Sequence, residues 1–465
     1  MAAAGSGPDL ASSAYRTRFI CVLFLVATFN FADRSVFAAT AQTIKADLGL
    51  DDGQLGLLQG LVFASLYSVL GLPVGWLAER VNRVRIIAVS VGVWSTMTLL
   101  CGRVHSFPQI FLARAGVGVG EAGYMAPTNS LAADLFPPQR RATAMALIML
   151  GSPAGSLLGA LSGGWFAENG SWRDAFVAMA IPGLLLAIVV PLVLREPARG
   201  LVEGGQAAGV RAAGFMEVLR HIWATPALRW VMIAGTLAQF GMTAISQFMA
   251  PFLARTHQLA PGRAATVFGL ISAASLTLGL LLGALGTDRA GRHDRRWSAW
   301  GPAIGLACAA PLYMLAFNQR TLSGTVILLL TAGMALLCYY GPALGMIQNM
   351  VGPRMRATAS AVYAVSYGLL GLGLGPTFAG YLSEGLARRS FAAGHFTAGS
   401  FAELCRGGRA AAGAPSDLVQ ACARASAEGL QGSLTAIMVV FLLAALAFLL
   451  AARTYRDDIH LRCTP

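Results

Sequence analysis

Four charged side chains stand inside stretches that are otherwise apolar: Asp33 and Arg34 in the first, Arg114 and Glu121 in the fourth. A charge in hydrocarbon costs several kcal/mol, and such residues usually mark an ion or substrate pathway. Burial favours the neutral carboxyl group and a neighbouring guanidinium favours the carboxylate. A carboxylate whose arginine partner comes and goes would therefore take up and release a proton, which gives Asp33 and Glu121 a proton-coupling chemistry. Arg34 and Arg114 are counter-charges or anchors for an anionic head group, because a guanidinium offers planar paired donors to phosphate or carboxylate. Arg114 and Glu121 lie seven residues apart and share a helix face. Asp33 and Arg34 are adjacent, point about 100° apart and cannot both face one partner. These spacings predict a small network facing a cavity from the first and fourth helices, with Asp33 at a depth between Arg114 and Glu121.

Composition says what must position them. The chain has 465 residues, 56% hydrophobic and 12% charged, against about 25% charged for a soluble domain. The apolar residues fall in runs long enough to cross a bilayer, which takes about 20 residues of helix. About twelve spans are expected: 17–40, 54–78, 84–102, 107–135, 141–166, 175–194, 228–253, 264–286, 298–317, 323–351, 358–386 and 431–452. The predicted fold is an all-α polytopic membrane protein. Residues 17–194 and 226–452 form two six-helix bundles, 195–225 a cytoplasmic linker, 387–430 an external loop, and 1–16 and 453–465 cytoplasmic tails. A short amphipathic helix is expected near Phe215–Trp223. The first span is too long and too polar for a cleaved signal peptide.

The net charge of +13 is a topology signal rather than a nucleic-acid footprint. With a cytoplasmic N-terminus, 21 of the 34 Lys and Arg residues fall in cytoplasmic loops and tails and 11 outside, while Arg34 and Arg114 lie in the membrane. That is the positive-inside pattern, with anionic membrane lipids as secondary partners. Lys45 is the single lysine. Alanine, glycine and arginine richness suggests a GC-rich bacterial genome, hence the inner membrane with both termini cytoplasmic. Cys405 and Cys422 share the external loop, where a disulfide is permitted; spacing alone leaves the bridge open. No nucleotide-binding Gly-Lys-Ser/Thr loop and no metal-spaced cluster occur, so no enzyme, metal site or cofactor is expected.

The two halves echo each other. Glu79-Arg80-Val-Asn-Arg83 follows the second span and Asp288-Arg289-Ala-Gly-Arg292 the eighth; Arg141-Ala-Thr-Ala precedes the fifth and Arg356-Ala-Thr-Ala the eleventh. The offsets are 209 and 215 residues. Duplicated halves place a substrate cavity between them near mid-membrane. Its candidate lining is Tyr124, Phe37, Met125 and Phe29 from the first half, with Gln239, Gln247, Tyr339, Tyr340, Gln348, Asn349, Tyr363 and Tyr367 from the second; ordinary helix packing explains any one of them. A cavity charged on one side and apolar on the other suits an amphiphile. Gly151, Gly155, Gly159 and Gly163 recur every four residues in the fifth span, a pattern for close helix approach.

Gly75…Glu79-Arg80…Arg83 and Arg114…Gly118…Gly120 resemble loop and helix-four motifs of the major facilitator superfamily. Asn30-Phe-Ala-Asp33-Arg34, Glu79-Arg80-Val-Asn82-Arg83 and Gly118-Val-Gly-Glu121-Ala-Gly-Tyr124, running on to Phe136, resemble the spinster family within it. The superfamily resemblance implies gating by Glu79, Arg80 and Arg83, and by the second copy Asp288, Arg289 and Arg292, which bridge the halves. It also implies a working monomer. The spinster resemblance implies proton-linked or facilitated transport of lysophospholipids or sphingosine phosphates. A carrier of a small organic anion or drug is the alternative. A membrane receptor or enzyme that moves nothing is a third class, disfavoured by the repeat and the intramembrane charges.

Overall fold

The computed structural model describes residues 12–78, 80–198, 215–291, 293–351, 355–394 and 400–460. Eleven of its helices are long and apolar enough to cross a membrane: Ser13–Leu48, Asp52–Ala78, Arg83–Cys101, Thr143–Asn169, Trp172–Val193, Pro226–Thr256, Pro261–Gly283, Trp297–Phe317, Leu322–Met350, Thr358–Ala393 and Ser416–Asp458. The remaining expected span, the fourth, is split into Phe107–Glu121 and Met125–Leu135. The break falls in a glycine-rich stretch just before Pro127, which supplies no N–H to the carbonyl of Gly123. The spans are named here by this order of twelve.

Several helices outrun their expected bounds. The eleventh reaches Ala393 and the twelfth starts at Ser416, so the expected loop 387–430 contracts to 394–415. The twelfth continues to His460 through most of the expected tail. Hydropathy marks only the bilayer-crossing part of a helix; the polar turns beyond it still keep the backbone hydrogen-bonded. The linker carries the expected amphipathic helix at Phe215–Ala224, with Val218 and Ile222 buried and Phe215, Met216 and Trp223 exposed.

The first and seventh spans leave the same end of the molecule. The C-terminal helix returns there, where Asp458 accepts from the backbone N–H of Ala227 at 2.9 Å. This is called the terminal end; the opposite end carries the Leu48–Asp52 turn and is called distal. Glycines set how closely helices meet, both within the first half and between the halves. The ridge Gly151, Gly155 and Gly159 lies against the backbone of Phe24, Thr28 and Ala32 in the first span, so any Cβ there would collide. Near the distal end, a Cβ at Gly56 or Gly60 would strike the carbonyl oxygens of Pro376 or Gly373, and Gly164 sits on Gly262. Further toward the terminal end Gly368 still meets the Ser68 hydroxyl, while Gly71, Gly341 and Gly345 have nothing within 4 Å of where a Cβ would stand. The backbone-to-backbone contacts named here between the halves thus lie toward the distal end.

Candidate functional site

The fifth span's glycines hold the first span with Phe31, Arg34 and Ser35 turned toward a cavity of about 290 Å³ between the halves. The opposite wall comes mainly from the seventh, eighth and tenth spans, including Gln239, Gln247, Phe268, Ser272 and Leu336. Among the described lining residues, Arg34 is the one charged side chain. Its Nε donates to Glu121 Oε2 at 2.8 Å, and its Nη2 bonds the same oxygen. The side chain of Arg34 is 19% exposed and that of Glu121 wholly buried.

Asp33 is buried in the same half and accepts from Thr98 Oγ1 at 2.5 Å. Arg114 is buried, with Nε and Nη1 lacking protein hydrogen-bond partners. Its guanidinium stacks instead on Phe37 at 4.5 Å and Phe63 at 5.4 Å. Arg34 uses the same Phe63 ring at 4.6 Å and Tyr67 at 5.2 Å. Aromatic faces partly replace water around a desolvated guanidinium. The sequence expectation of one network facing the cavity is therefore corrected: Arg34 faces it, while Asp33, Arg114 and Glu121 sit behind. Glu121 takes Arg34 rather than Arg114; the glycines beside it, Gly118, Gly120 and Gly123, seat its helix against Phe63, Trp94 and Ser90 of the second and third spans.

The other candidates divide by position. Phe37 and Tyr124 are buried in the first half, outside the cavity lining; Tyr124 donates to the Leu23 carbonyl at 3.3 Å and packs edge-on to Trp94. Tyr339 is buried and donates to the cavity residue Gln239 at 3.4 Å. Tyr367 packs between Tyr340 and Tyr363. Gln348 is exposed and bonds Ser360 at 2.8 Å. The eleventh span widens into a π-helical stretch at Ser366–Gly373, and Thr243 donates to its Gly371 carbonyl at 3.0 Å.

At the terminal end, Arg83 is buried and binds Asp134 at 2.5 Å, Glu196 at 2.6 Å and Ser130 at 2.7 Å, all within the first half and its connection. Among the described residues these partners all lie on the first-half side. Arg80 is exposed over Trp76, and Arg289 is exposed. Glu79 and Arg292 lie outside the described residues, and Asp288 is described only by its helix position.

An ion bridge between the halves lies at the other end, where sequence reasoning placed none. Asp52 is 1% exposed. It binds Lys45 at 2.6 Å, Arg255 through both oxygens at 2.8 Å, and Ser383 at 2.7 Å. Arg255 also donates to Gln42 at 2.9 Å. Lys45, Asp52 and Gln42 belong to the first half, Arg255 and Ser383 to the second. A single lysine seven residues before an aspartate, at the end of a span, was the available signal. Above this bridge runs a loop closed by the Cys405–Cys422 disulfide, with Cα atoms 5.4 Å apart. Gly407 and Gly408, at φ 66° and 78°, let it approach Lys45 and Ser426.

Two six-span halves, joined at one end around a central cavity with intramembrane charge, define a membrane carrier. Residues 23–402 match the Major Facilitator Superfamily. The chain belongs to that superfamily of transporters, and its relatives are carriers, not enzymes. It is 33% identical over 367 residues to an MFS-type efflux pump of Mycolicibacterium smegmatis, covering 78% of this chain and 84% of that protein. It is 28% identical over 395 residues to protein spinster homolog 1 of Bos taurus, covering 81% and 75%. A crystal structure of a bacterial homolog of the human lysosomal transporter Spinster, inward-facing and unoccupied, superposes with a TM-score of 0.85 at 32% identity, covering 96% of this chain and 99% of that one. The nucleoside transporter NupG shares the fold alone, with a TM-score of 0.64 at 12% identity.

Proposed function

We propose that this carrier moves an amphipathic, lipid-like anion, of lysophospholipid or sphingosine phosphate type, by proton-coupled alternating access. The observation that carries the reading is the single guanidinium on an otherwise uncharged, largely apolar cavity wall, already paired with a buried carboxylate. An anionic head group and Glu121 compete for Arg34. Protonation of Glu121 removes the competitor, so anion and proton favour each other's binding by linkage. Asp33, held by Thr98, supplies a second protonatable group in the same half. The distal bridge closes one side while the terminal side is open. With both termini in the cytoplasm of a bacterial inner membrane, this is the inward-open state.

The test is binding of two lysolipids with one acyl chain, one bearing an anionic phosphate head and the other a neutral head. The wild type should prefer the anion, and Arg34→Gln should remove the preference while retaining the neutral lipid. Equal binding of both lipids by the wild type would refute the anion site. The kinship with an efflux pump favours a second reading, a carrier of small organic anions or drugs. Competition by such compounds without competition by lysolipids would select it.

A further inference from the structure

The cavity has a polar atom that neither Arg34 nor Glu121 accounts for. Gln247 of the seventh span lines it, and its Oε1 is buried without a protein hydrogen-bond partner. Buried polar atoms are nearly always hydrogen-bonded, and leaving one unmade costs about 1–3 kcal/mol. Gln239, two turns nearer the terminal end, has its carbonyl engaged by Tyr339. Neighbouring hydroxyls are engaged too: Ser246 donates to Thr243 O, and Ser275 to Leu330 O.

Register places Gln247 against Arg34. The first and seventh spans both run from the terminal to the distal end. The Gln42–Arg255 bond ties them at one level. Eight residues back along each helix, about 12 Å deeper at 1.5 Å per residue, stand Arg34 and Gln247. Ala39 and Ala250, a turn or so above them, pack together with Ala265 and confirm the facing of the two helices. The two side chains thus occupy one depth on opposite walls of one cavity.

We infer that Gln247 is a second binding pole, which accepts a hydrogen bond from a neutral hydroxyl placed close to the ligand's anionic head. The inference rests on the proposed anion site at Arg34 and narrows its substrate class. The preferred ligand has an anionic group and a free hydroxyl within a few bonds of it, with the apolar chain beyond. A lysolipid with one esterified and one free hydroxyl has this pattern; its deoxy or fully acylated counterpart does not. A site built to bond a hydroxyl discriminates strongly against the analogue lacking it, because its own polar group is then left unpaired.

The experiment measures binding of 1-acyl lysophosphatidic acid and its 2-deoxy analogue of the same chain length to the whole protein in nanodiscs. The wild type should bind the hydroxyl form at least about tenfold more tightly. Gln247→Leu should weaken the hydroxyl form to the level of the deoxy form and leave the deoxy form unchanged, which also shows that the variant is folded. Gln247→Asn, with a shorter amide, should keep part of the preference. Equal binding of both ligands by the wild type would overturn the Gln247 role while leaving the Arg34 reading intact. An equal loss for both ligands in Gln247→Leu, with the preference retained, would also overturn it. Failure of the wild type to bind either ligand would remove the anion site and this inference with it.

Discussion

Asp52→Asn should release the distal end. The substitution keeps the size of the side chain and removes the one charge that Lys45 and Arg255 both face at 2.6–2.8 Å. Breaking a buried pair costs about 3–5 kcal/mol, because the remaining charge stays desolvated. The Lys45 contact lies within the first half and exists whether or not the halves separate. The Arg255 and Ser383 contacts cross between halves and exist only when the distal end is closed. Assigning roughly half of the cost to the crossing contacts gives about 2 kcal/mol against the closed state, a shift of about thirtyfold in the open-to-closed ratio. Spin labels at Arg103 and Arg389, exposed near the distal end on opposite halves, would report the separation. The expected result is a new population at longer distance. Asp47→Asn is the control: Asp47 pairs with Arg173 at 2.7 Å inside the first half and should change nothing. An unchanged distribution in Asp52→Asn, or an equal change in the control, would refute the assignment of the distal bridge as a gate.

Other outcomes follow from the same geometry. Gly60→Val places side-chain atoms against the Gly373 carbonyl, so it should also disfavour distal closure, read by the same labels without any change of charge. Arg34→Lys keeps the charge but loses the guanidinium's paired donors and its stacking on Phe63 and Tyr67, and should weaken anionic ligands about tenfold. Replacing Cys405 and Cys422 by serine removes the constraint on a loop of sequence separation 17, worth about 3 kcal/mol in the chain-entropy account; protease cutting within 400–415 should become faster while the spans stay folded. Thr98→Val preserves shape, strips Asp33 of its hydrogen-bond donor and should lower thermal stability by about 1–3 kcal/mol.

Some of this was legible in the sequence. Long apolar runs gave the spans, loop arginines their alternation, and the paired motifs the two halves. The Gly151–Gly163 ridge marked a close approach, and the first span is what it meets. The linker helix at Phe215–Ala224 followed from its amphipathic pattern. What stayed hidden are relations between helices. Periodicity puts Arg114 and Glu121 on one face but cannot say which neighbour that face meets, so Glu121's partnership with Arg34 required the rotation of the first span against the fourth. Phe63, shared by two arginines, looks like any apolar residue in its helix. The Lys45–Asp52–Arg255 bridge joins residues at three span ends, where charge is ordinarily read as solvated.

Coupling through the Arg34–Glu121 pair is tested by following labelled lysophospholipid or sphingosine phosphate across sealed proteoliposomes under an imposed pH gradient, in wild type and Glu121→Gln. The expected result is gradient-driven movement by the wild type and loss of that dependence in the variant. Gradient-driven movement unchanged in Glu121→Gln would contradict the coupling role of the pair, and no movement of either lipid by the folded protein would contradict the substrate class.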